Sequence, residues 1–568
     1  MALGLGLMRL SSGDVSEDAA LRVLHEALDR GVALFDTADV YAPSAGEIGH
    51  NERLLAKALA GRSSSVVVAT KGGLRRQGKR LIPDGRAKHL KAACEASLRA
   101  LGVECIDLYQ LHAPDPKVPL ATSLRALNAL QNEGKVRDIG ICNINLEQLL
   151  AARAMATIAA VQVELSPFEL TPLKNGVVDH CVQHGIAIIA HSPFGGHRRA
   201  KRIGRKEPFA AIAKRHGVTA YEVALAWLRH IHSVIRPIPG VTRVETLVSC
   251  LHALDVALSA ADIAELEEAF PAGRPGPRRA PKRLEGEVVL FVGYPGAGKS
   301  TLAESWVERG YGCLNRDERG GNLAGLRLAL ADRLANGEKR LVLDNTYPRR
   351  ASRFDVVETA WKHGAAVRCL WLETTLEQAQ VNAVTRMVKR HGRLLTPEEI
   401  QASQSPNTFP PEAQFRYRRE LEPPREDEGF VAIERVAFER RDKSGRTGKA
   451  VFVDYAHLQE RGALERYLAE GYRLFCLAYL PGLDEARAQE DFARASKGLD
   501  IELHFCPHEP GPAICWCRKP LPGLGVLLIE KYALDPARCL VLGDTLAERG
   551  FAERLGCRLV TPGKRELE

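Results

Sequence analysis

The chain has 568 residues, of which 45% are hydrophobic, and a formal net charge of +9. Its length predicts about three or four domains. No stretch approaches the roughly 18 uninterrupted apolar residues of a membrane span, so we expect no membrane association. The N-terminus, MALGLGLMRLSSG, has no charged region followed by a long apolar core, which predicts no secretory signal and a cytoplasmic location.

The first 270 or so residues alternate short apolar strands with amphipathic helices. The predicted strands are VALFDTA, VVVATKG, IDLYQLH, DIGICN, AAVQVEL, AIIAHSPF and VIRPIPG. Strands this regular, each followed by a helix, predict an α/β protein that begins with a parallel (β/α)8 TIM barrel over residues 1–272.

In such a barrel, catalytic groups come from the C-terminal ends of several strands. The polar residues found there are Asp36 and Tyr41 after the first predicted strand, Lys71 after the second, His112 after the third, Asn143 after the fourth and Gln162 in the fifth. A tyrosine hydroxyl ionises near about pH 10, so it exchanges protons near neutrality only if a neighbouring cation lowers its pKa. We expect Lys71, held by Asp36, to be that cation and His112 to orient a carbonyl oxygen.

The segment from about 2 to 272 resembles an aldo-keto reductase. The matching motifs are FDTADVY with NERLL, VVVATKGG, YQLH, GICN, VQVELSPF, AHSPFG and IPGVTR. The resemblance implies NADPH-dependent reduction of aldehydes or ketones, with Tyr41 as proton donor, Asp36 and Lys71 tuning it, and His112 positioning the carbonyl substrate.

The same resemblance implies a set of cofactor-binding residues. Asn143 and Gln162 would hold the nicotinamide amide, Ser192 and Gly240 would contact the cofactor, and Thr242 and Arg243 would meet the adenosine 2′-phosphate. Two positions depart from the family pattern. Ser249-Cys250 replaces a Glu-Asn pair that reads adenine, and His191 stands where a tyrosine often stacks on the nicotinamide. A barrel kept only as a scaffold is the alternative.

A Pro/Gly/Arg stretch over 273–285 has no apolar periodicity and predicts a linker. Its basic run RPGPRRAPKR (274–283), together with HRRAKRIGRK (197–206), carries eleven Arg and Lys and no acid. Each run alone is equally consistent with a solvated loop or linker. The two together are consistent with a polyanionic partner.

The next predicted domain, over 286–440, opens with VVLFVGYPGAGKST, an apolar strand that runs into a glycine-rich loop and a helix. Gly293, Gly296 and Gly298 allow backbone N–H groups to face a polyphosphate. Lys299 would neutralise the terminal phosphates, the Ser300 hydroxyl would hold Mg²⁺, and Thr301 opens the helix. The strand, loop and helix together predict a P-loop that binds ATP and Mg²⁺.

A kinase also needs a base for the acceptor hydroxyl and cations for the transferred phosphoryl group. Asp317, in Asn-Arg-Asp after the strand YGCL, is the predicted base, and Asp344 ends the strand RLVL near the metal or the acceptor. Spacing places four basic residues of TRMVKRHGR on one helical face. They are Arg386, Lys389, Arg390 and Arg393.

This domain, from about 286 to 438, is similar to the kinase domain of polynucleotide kinase-phosphatases. The similarity runs through GYPGAGKST, GYGCLNRDERG, LVLDNTYPRRASR, TLEQAQVN and FRYRRELEPPREDEGF. It implies transfer of the ATP γ-phosphate to a nucleic acid 5′-hydroxyl, with Asp317 as general base and Arg386 as lid cation. A small-molecule alcohol as acceptor remains an alternative, as does a repair or sensing protein whose other domains only bind.

The last predicted domain, over 448–568, contains Cys506-Pro-His508 and Cys515-Trp-Cys517. Three thiolates and one imidazole at these spacings predict a closed, tetrahedral structural Zn²⁺ site. The other ten of the 13 cysteines are dispersed without a repeating framework, which is typical of reduced thiols.

Around the cysteines, KAVFVDYAHL, CPHEPGPAICWCRKPLPG and CLVLGDTLAERGFAERLGC resemble a zinc-carrying haloacid-dehalogenase-type (HAD-like, Rossmannoid α/β) phosphatase. The resemblance implies a nucleophile at Asp454, with Lys519 and the later acids Asp544 and Glu548. Ala456 replaces the proton-donating aspartate. Loss of a general acid costs about 10²–10⁴ in rate, so we expect a degenerate phosphatase site.

Overall fold

The structure is a computed structural model. It describes residues 3–62, 66–78, 80–271, 280–281, 284–316, 322–403, 405, 407–439, 445–496, 498–511 and 514–562, with the backbone alone at 197. The chain divides into two compact units, Met1–Arg278 and Arg279–Glu568. In the described part of the chain, no helix is both long and apolar enough to cross a membrane. Most of the predicted linker over 273–285 lies outside the described residues.

The first unit is built on an eight-stranded parallel sheet that closes on itself. Its strands, in spatial order, are β1 (Leu5–Gly6), β2 (Leu34–Asp36), β3 (Val67–Gly72), β6 (Ile106–Leu111), β7 (Val136–Cys142), β8 (Ile158–Glu164), β9 (Ala187–His191) and β10 (Ile235–Ile238). Gly4 N donates to Pro237 O at 3.0 Å and Gly6 N donates to Pro239 O at 3.1 Å, which joins the first strand to the last. The predicted barrel is confirmed.

The predicted strand count is off by one. The first strand is β1, and the strand of VALFDTA is the second, so Asp36 ends β2 and each later strand is one place further along. A strand of two residues is too short to show the alternation by which strands are recognised. Its glycine allows a close approach, because a Cβ at Gly6 would lie only 3.0 Å from Ile238 O on the strand that closes the barrel.

Helices surround this barrel and pack on it through apolar stripes. They are α1 (Glu17–Asp29), α2 (His50–Leu59), α3 (Ala87–Leu101), α4 (Leu120–Asn132), α5 (Leu146–Arg153), α6 (Thr171–Lys174), α7 (Val177–Gln183), α8 (Gly196–Ala200), α9 (Phe209–His216), α10 (Ala220–Ile231), α11 (Val244–His252) and α12 (Ala260–Ala269), with 3₁₀ turns at Met8–Ser11, Ala45–Glu47 and Ile203–Arg205. In α1, Ala20, Val23, Leu24 and Ala27 are buried, the spacing of one helical face. An antiparallel hairpin, β4 (Leu74–Gln77) and β5 (Arg80–Pro83), follows β3.

The second unit contains two five-stranded parallel sheets. The first has the spatial order β12 (Gly312–Asn315), β13 (Arg340–Asp344), β11 (Gly286–Val292), β14 (Ala365–Leu372), β15 (Ala432–Val436). Its helices are α13 (Lys299–Val307), α14 (Leu323–Ala335), α15 (Arg350–Lys362), α16 (Leu376–His391), α17 (Pro397–Ala402) and α18 (Pro411–Glu420), with a 3₁₀ turn at Glu426–Glu428. The central strand β11 leads directly into the glycine-rich loop.

The second sheet of this unit has the order β18 (Ile501–Cys506), β17 (Arg473–Tyr479), β16 (Ala450–Val453), β19 (Leu540–Leu542), β20 (Arg558–Val560). Its helices are α19 (Arg461–Ala469), α20 (Glu485–Ser496), α21 (Gly523–Lys531) and α22 (Leu546–Leu555), with 3₁₀ turns at Tyr455–His457 and Pro536–Arg538. Asp454 follows β16 and Asp544 follows β19, and these neighbouring strands are parallel, so both residues lie at the same end of the sheet.

One helix belongs to the packing of both sheets in the second unit. The apolar face of α16, including Val384 and Met387, shares a buried cluster with Trp516 and Phe551 of the C-terminal sheet region. Arg554 Nε also donates to the Gln380 side-chain oxygen at 2.7 Å. The C-terminal part of the unit therefore packs against α16, the helix that carries Arg386.

Candidate active sites

Four polar side chains meet at the C-terminal ends of the barrel strands. Lys71 is fully buried, and its Nζ donates to Asp36 Oδ2 at 2.7 Å, to Thr37 O at 2.8 Å and to Tyr41 OH at 3.2 Å. The His112 ring lies edge-on to the Tyr41 ring, with centroids 5.7 Å apart. The structure thus brings together the four residues that the sequence predicts for catalysis in the barrel.

Burial decides the direction of the Tyr41 pKa. It raises the pKa of Tyr41 above the ordinary value, and the Lys71 charge offsets this only in part. Burial alone would lower the pKa of Lys71, but Asp36 and Tyr41 reverse this and raise it. The expected lowering by Lys71 is present, but the net direction is upward, because the cost of burying a tyrosinate exceeds the attraction of one ammonium. Tyr41 keeps its proton and Lys71 keeps its charge at neutral pH.

Two histidines of this site, His112 and His191, are held neutral. Burial lowers the pKa of His112 well below its usual range, and the nearby Lys71 charge adds to the effect. Burial likewise lowers the pKa of His191 to about 4. The buried Nδ1 of His112 has no hydrogen-bond partner among the described residues. Such an atom is costly unless another group contacts it, which fits a position where a ligand binds.

A cavity of 410 Å³ opens above these side chains. Its lining includes Asp36, Tyr41 and His112 together with the predicted cofactor residues Asn143, Gln162, Ser192 and Gly240. Asn143 and Ser192 have left-handed backbones, with φ of +56° and +52°. Non-glycine residues seldom adopt this conformation, and such strain concentrates at functional sites.

The amides of Asn143 and Gln162 are already engaged within the barrel. Asn143 Nδ2 donates to His112 O at 3.0 Å, and Gln162 Nε2 donates to Asp36 Oδ1 at 2.7 Å. Gln162 therefore belongs to the hydrogen-bonded group around Asp36 as well as to the cavity wall. Thr242 and Arg243 lie outside the lining of the cavity, with Arg243 exposed just before α11.

The two departures from the family pattern have structural roles. Ser249 Oγ donates to Glu222 Oε1 at 2.7 Å, and Cys250 is buried in the core that surrounds the barrel. His191 lines the cavity, with Nε2 3.3 Å from Asn143 Oδ1. These side chains are thus tied to the barrel itself.

Sequence reasoning missed two groups that support the catalytic side chains. Gln110 Nε2 lies 3.4 Å from Asp36 Oδ1, and its signal is a polar residue within the apolar strand IDLYQLH. Asn51, in the motif NERLL, accepts from Thr37 Oγ1 at 2.7 Å and donates to Leu7 O at 2.9 Å. Asn51 therefore fastens the loop after β1 to the strand end that carries Asp36.

In the second unit, the glycine-rich loop has the backbone of a phosphate cradle. Gly296 and Gly298 have φ of +88° and +95°, a region that glycine enters without steric cost. A Cβ at Gly296 would lie 2.7 Å from Ala379 O, so no larger residue fits there. Lys299 begins α13 and donates Nζ to Tyr294 O at 2.7 Å.

Three side chains from elsewhere in the unit hold this loop by its carbonyl groups. Gln414 Nε2 donates to Pro295 O at 2.7 Å, Asn382 Nδ2 to Gly296 O at 3.0 Å, and Thr374 Oγ1 to Ala297 O at 3.1 Å. The carbonyl oxygens of three consecutive loop residues are thus each bonded to a side chain. Local sequence carries no signal for Thr374 and Gln414, because their partner is distant along the chain.

A cavity of 850 Å³ adjoins the loop. Its lining includes the predicted residues Gly296, Gly298, Lys299, Ser300, Thr301, Asp344 and Arg386. Among the described lining residues, six are basic and one, Asp344, is acidic. The basic ones are Lys299, Arg316, Arg386, Lys389, Arg390 and Arg416. Such an excess of positive charge attracts polyanions.

Three predicted residues of this domain have different outcomes. Asp344 is buried and accepts from Asn315 Nδ2 at 2.9 Å. Arg393 does not share the helical face of Arg386, because α16 ends at His391, and its guanidinium pairs with Glu399 at 2.7 Å. Asp317, the predicted base, lies outside the described residues.

The predicted metal ligands of the C-terminal region lie together. One ligand atom from each of Cys506, His508, Cys515 and Cys517 lies within 4.8 Å of the others. The closest contacts are 3.2 Å between His508 Nδ1 and Cys517 Sγ and 3.3 Å between the Cys506 and Cys515 sulfurs. Three sulfurs and one imidazole nitrogen at this separation fit a tetrahedral zinc ion.

Asp454 lies at the end of β16 in a closed network of charges. Its carboxylate accepts from Ala456 N at 3.0 Å and from Lys519 Nζ, which also donates to Glu548 Oε1 at 3.0 Å. Lys519 thus links two carboxylates, those of Asp454 and Glu548. Asp544 is exposed and lies 3.6 Å from His457 Nε2.

Two known family patterns match separate parts of the chain. The sequence pattern of the aldo/keto reductase family matches residues 2–270, and that of an AAA domain matches residues 288–405. The chain is 33% identical over 305 residues to "Probable aldo-keto reductase 1" of Glycine max, across 48% of this chain and 86% of that protein.

Solved structures of similar proteins also cover about half of the chain. An aldo/keto reductase of Klebsiella pneumoniae in complex with NADP and acetate is 26% identical, with 49% of this chain and 93% of that chain covered and a TM-score of 0.41. The glycerol dehydrogenase of Gluconobacter oxydans is 25% identical, with 49% and 94% covered and a TM-score of 0.42.

Proposed function

The chain belongs to the aldo/keto reductase family, and on that premise we propose that its first unit reduces an aldehyde or ketone with NADPH. One observation carries the proposal: the buried Lys71 ammonium contacts both Asp36 and Tyr41 below a cavity lined by His112. The cavity wall fits a nicotinamide, because Asn143, Gln162 and Ser192 supply amide and hydroxyl groups there. NADPH, when bound, supplies the hydride.

Each side chain of this group has a role in moving one proton. Tyr41 holds its proton because burial raises its pKa, so its hydroxyl donates to the carbonyl oxygen as that oxygen gains charge. Lys71, 3.2 Å from the same hydroxyl, stabilises the negative charge left on the tyrosine. Asp36 keeps Lys71 charged and oriented, and the neutral His112 ring directs the carbonyl oxygen.

Nucleotide affinity tests the cofactor part of this proposal. We expect NADPH to bind more tightly than NADH, because Arg243 would meet the 2′-phosphate. Arg243→Ala should weaken NADPH binding by about tenfold or more, the effect of one charged hydrogen bond, and leave NADH binding unchanged. Equal weakening of both cofactors would contradict the assigned 2′-phosphate site.

For the second unit, we propose ATP-dependent phosphorylation of a hydroxyl group, with a nucleic acid 5′-hydroxyl as the acceptor. The cavity beside the P-loop supports this, since six basic side chains and one acid line it. Lys299 and Arg386 would bind the donor phosphates, Ser300 would hold Mg²⁺ with Asp344 nearby, and Asp317 would take the proton of the acceptor hydroxyl.

A small-molecule alcohol is the competing acceptor, and salt dependence separates the two. Each neutralised phosphate of a single strand lowers the logarithm of the binding constant by about 0.7 for each tenfold rise in salt. We expect oligonucleotide binding to weaken steeply with salt. Acceptor binding that is independent of salt would favour the small alcohol. A protein that binds nucleic acid without transferring phosphate would favour a repair or sensing role.

For the C-terminal region, we propose a HAD-like domain with a structural zinc ion and little phosphatase activity. The four ligand atoms fit zinc, and Ala456 cannot protonate a leaving group. Lys519 lies between Asp454 and Glu548, so the cation that would meet a substrate phosphate is paired with two carboxylates of the protein. We place the whole chain in the cytoplasm, in keeping with its dispersed cysteines.

A further inference from the structure

One wall of the phosphate cavity is backed by the cysteine-rich loop of the C-terminal region. The wall segment, residues 407–416, lines the cavity with Asn407, Phe409, Ala413 and Arg416. The knuckle, residues 506–517, carries the four metal-binding side chains. Both belong to the second unit, and the described residues of the knuckle contact the wall segment directly.

Trp516 makes the central contact between the knuckle and the wall segment. It is fully buried, and its Nε1 donates to Phe409 O at 3.1 Å, with the two rings 6.5 Å apart and nearly edge-on. A second bond runs from Ile514 N to Glu412 Oε1 at 2.5 Å. Because Cys515 and Cys517 flank Trp516 in sequence, a metal ion held by both would fix the backbone on either side of the indole.

The other side of the wall segment holds Arg386. Arg386 Nη2 donates to Asn407 O at 3.2 Å, and its guanidinium carbon lies 5.9 Å from the centre of the Phe409 ring. An aromatic face at this distance attracts a cation. Phe409 thus connects the indole of the knuckle to an arginine that lines the phosphate cavity.

We propose that Trp516 and Phe409 are positioning residues for Arg386, so that the C-terminal knuckle sets how the cavity binds the terminal phosphate of ATP. The proposal rests on the proposed kinase function of the second unit. Phe409 limits the directions that the guanidinium can take, and Trp516 keeps Phe409 in place through the backbone oxygen. A shift of the wall would then move Arg386 away from the γ-phosphate while the P-loop keeps its own contacts.

The test is a double-mutant cycle on nucleotide affinity, which needs neither an acceptor nor phosphoryl transfer. ATP and ADP affinities are measured by calorimetry for the full-length protein and for Trp516→Phe, Arg386→Ala and the double variant. Trp516→Phe keeps an aromatic side chain, removes the indole donor and makes the buried ring smaller. We expect Arg386→Ala to weaken ATP binding by at least about tenfold and ADP binding much less, and Trp516→Phe to weaken ATP binding by about fivefold.

The double variant decides the question. If Trp516 acts through Arg386, the double variant binds ATP no more weakly than Arg386→Ala alone. Trp306→Phe is the control for shortening a tryptophan elsewhere in the unit, because Trp306 lies on α13, meets the Tyr311 ring edge-on and is not among the described residues lining the cavity. It should leave both affinities unchanged.

Phe409→Leu is a second variant that does not depend on the tryptophan. It removes the ring beside Arg386, keeps the backbone oxygen that Trp516 binds, and should also weaken ATP binding selectively. Additive losses in the cycle, or equal weakening of ATP and ADP, would overturn the positioning role while leaving the kinase proposal intact. A wild-type protein that binds neither nucleotide would overturn both.

Discussion

The two cavities of the protein differ in the charged side chains that surround them. In the barrel, the Lys71 ammonium is buried against the Asp36 carboxylate at 2.7 Å, so the protein supplies the balancing charge itself. In the phosphate cavity, six basic side chains face one acid among the described lining residues. An excess of one sign of charge around a cavity attracts ligands of the opposite sign.

This difference supports what we propose for each cavity. The barrel site pairs its buried charges within the protein, which suits the reduction of a neutral carbonyl group. The second cavity suits a ligand that brings several negative charges, such as the ATP of the proposed kinase. Variants that affect one cavity and leave the other unchanged therefore test the comparison directly.

The largest effect is expected from Tyr41→Phe. Removing the hydroxyl removes the proton donor, so carbonyl reduction should fall by about 10²–10⁴-fold. NADPH binding and ATP binding should stay at the wild-type level, as measured by titration. Tyr109→Phe is the matched control, because Tyr109 is also buried in the barrel but its hydroxyl lies 3.4 Å from Leu90 O. Reduction at full rate by Tyr41→Phe would contradict the assigned donor.

A similar loss is expected in the other cavity from Asp317→Ala. Phosphoryl transfer should fall by about 10²–10⁴-fold, because the acceptor hydroxyl loses its base. ATP affinity and carbonyl reduction should not change. Loss of ATP binding would show that the residue is needed for the donor site instead of the acceptor.

The comparison is sharpened by removing the metal ligands. Wild-type protein prepared without chelator should contain about one zinc ion per chain, and the variant Cys515→Ser, Cys517→Ser should contain none. Thermal unfolding of the second unit should shift to lower temperature while the first unit unfolds as before. Atomic absorption measures the zinc content, and a zinc-free wild-type protein would refute the metal site.

A smaller effect concerns the stability of the barrel at acid pH. His191 has its pKa lowered to about 4 in the folded protein, whereas an unfolded histidine titrates near its usual value. Between those values the unfolded chain binds more protons, so stability is present above the unfolded pKa and is lost as pH falls towards the folded one. From pH 7 to pH 5 this histidine should cost about 2 kcal/mol.

His191→Gln removes that titration. Unfolding of the barrel by urea at both pH values should therefore show a smaller loss of stability in His191→Gln than in the wild type. His232→Gln serves as the control, because its imidazole caps Val234 N outside the cavity lining. An unchanged pH dependence in His191→Gln would contradict a neutral, half-buried imidazole.

Much of the barrel was predictable because its signals are local. Regular strands placed Asp36, Lys71 and His112 at strand ends that meet at one face, and the structure brings these side chains together. Depth of burial is not local, and this is why the sequence predicts the effect of Lys71 on the Tyr41 pKa and misses the larger, opposite effect of burial. The two-residue strand β1 was missed because it has no detectable period.

In the second unit, the sequence contains a signal for the end of α16 but none for the contact between Trp516 and Phe409. Gly392, with φ of +69°, caps α16, and a glycine at that place is a common signal of a helix end. This signal places the helix end before Arg393, so Arg393 does not share a helical face with Arg386. The contact of Trp516 with Phe409 joins residues 107 positions apart, and no local pattern predicts it.

The central claim is that this chain joins a carbonyl reductase to a kinase. Transfer of labelled γ-phosphate from ATP to 5′-hydroxyl DNA and RNA oligonucleotides tests its less established half, with Lys299→Ala as the variant and Lys339→Ala as the control, since Lys339 is exposed and pairs with Glu285. We predict labelling that Lys299→Ala abolishes and Lys339→Ala preserves. Absence of labelling in the wild type, with ATP bound, would contradict the nucleic acid acceptor and favour a small alcohol.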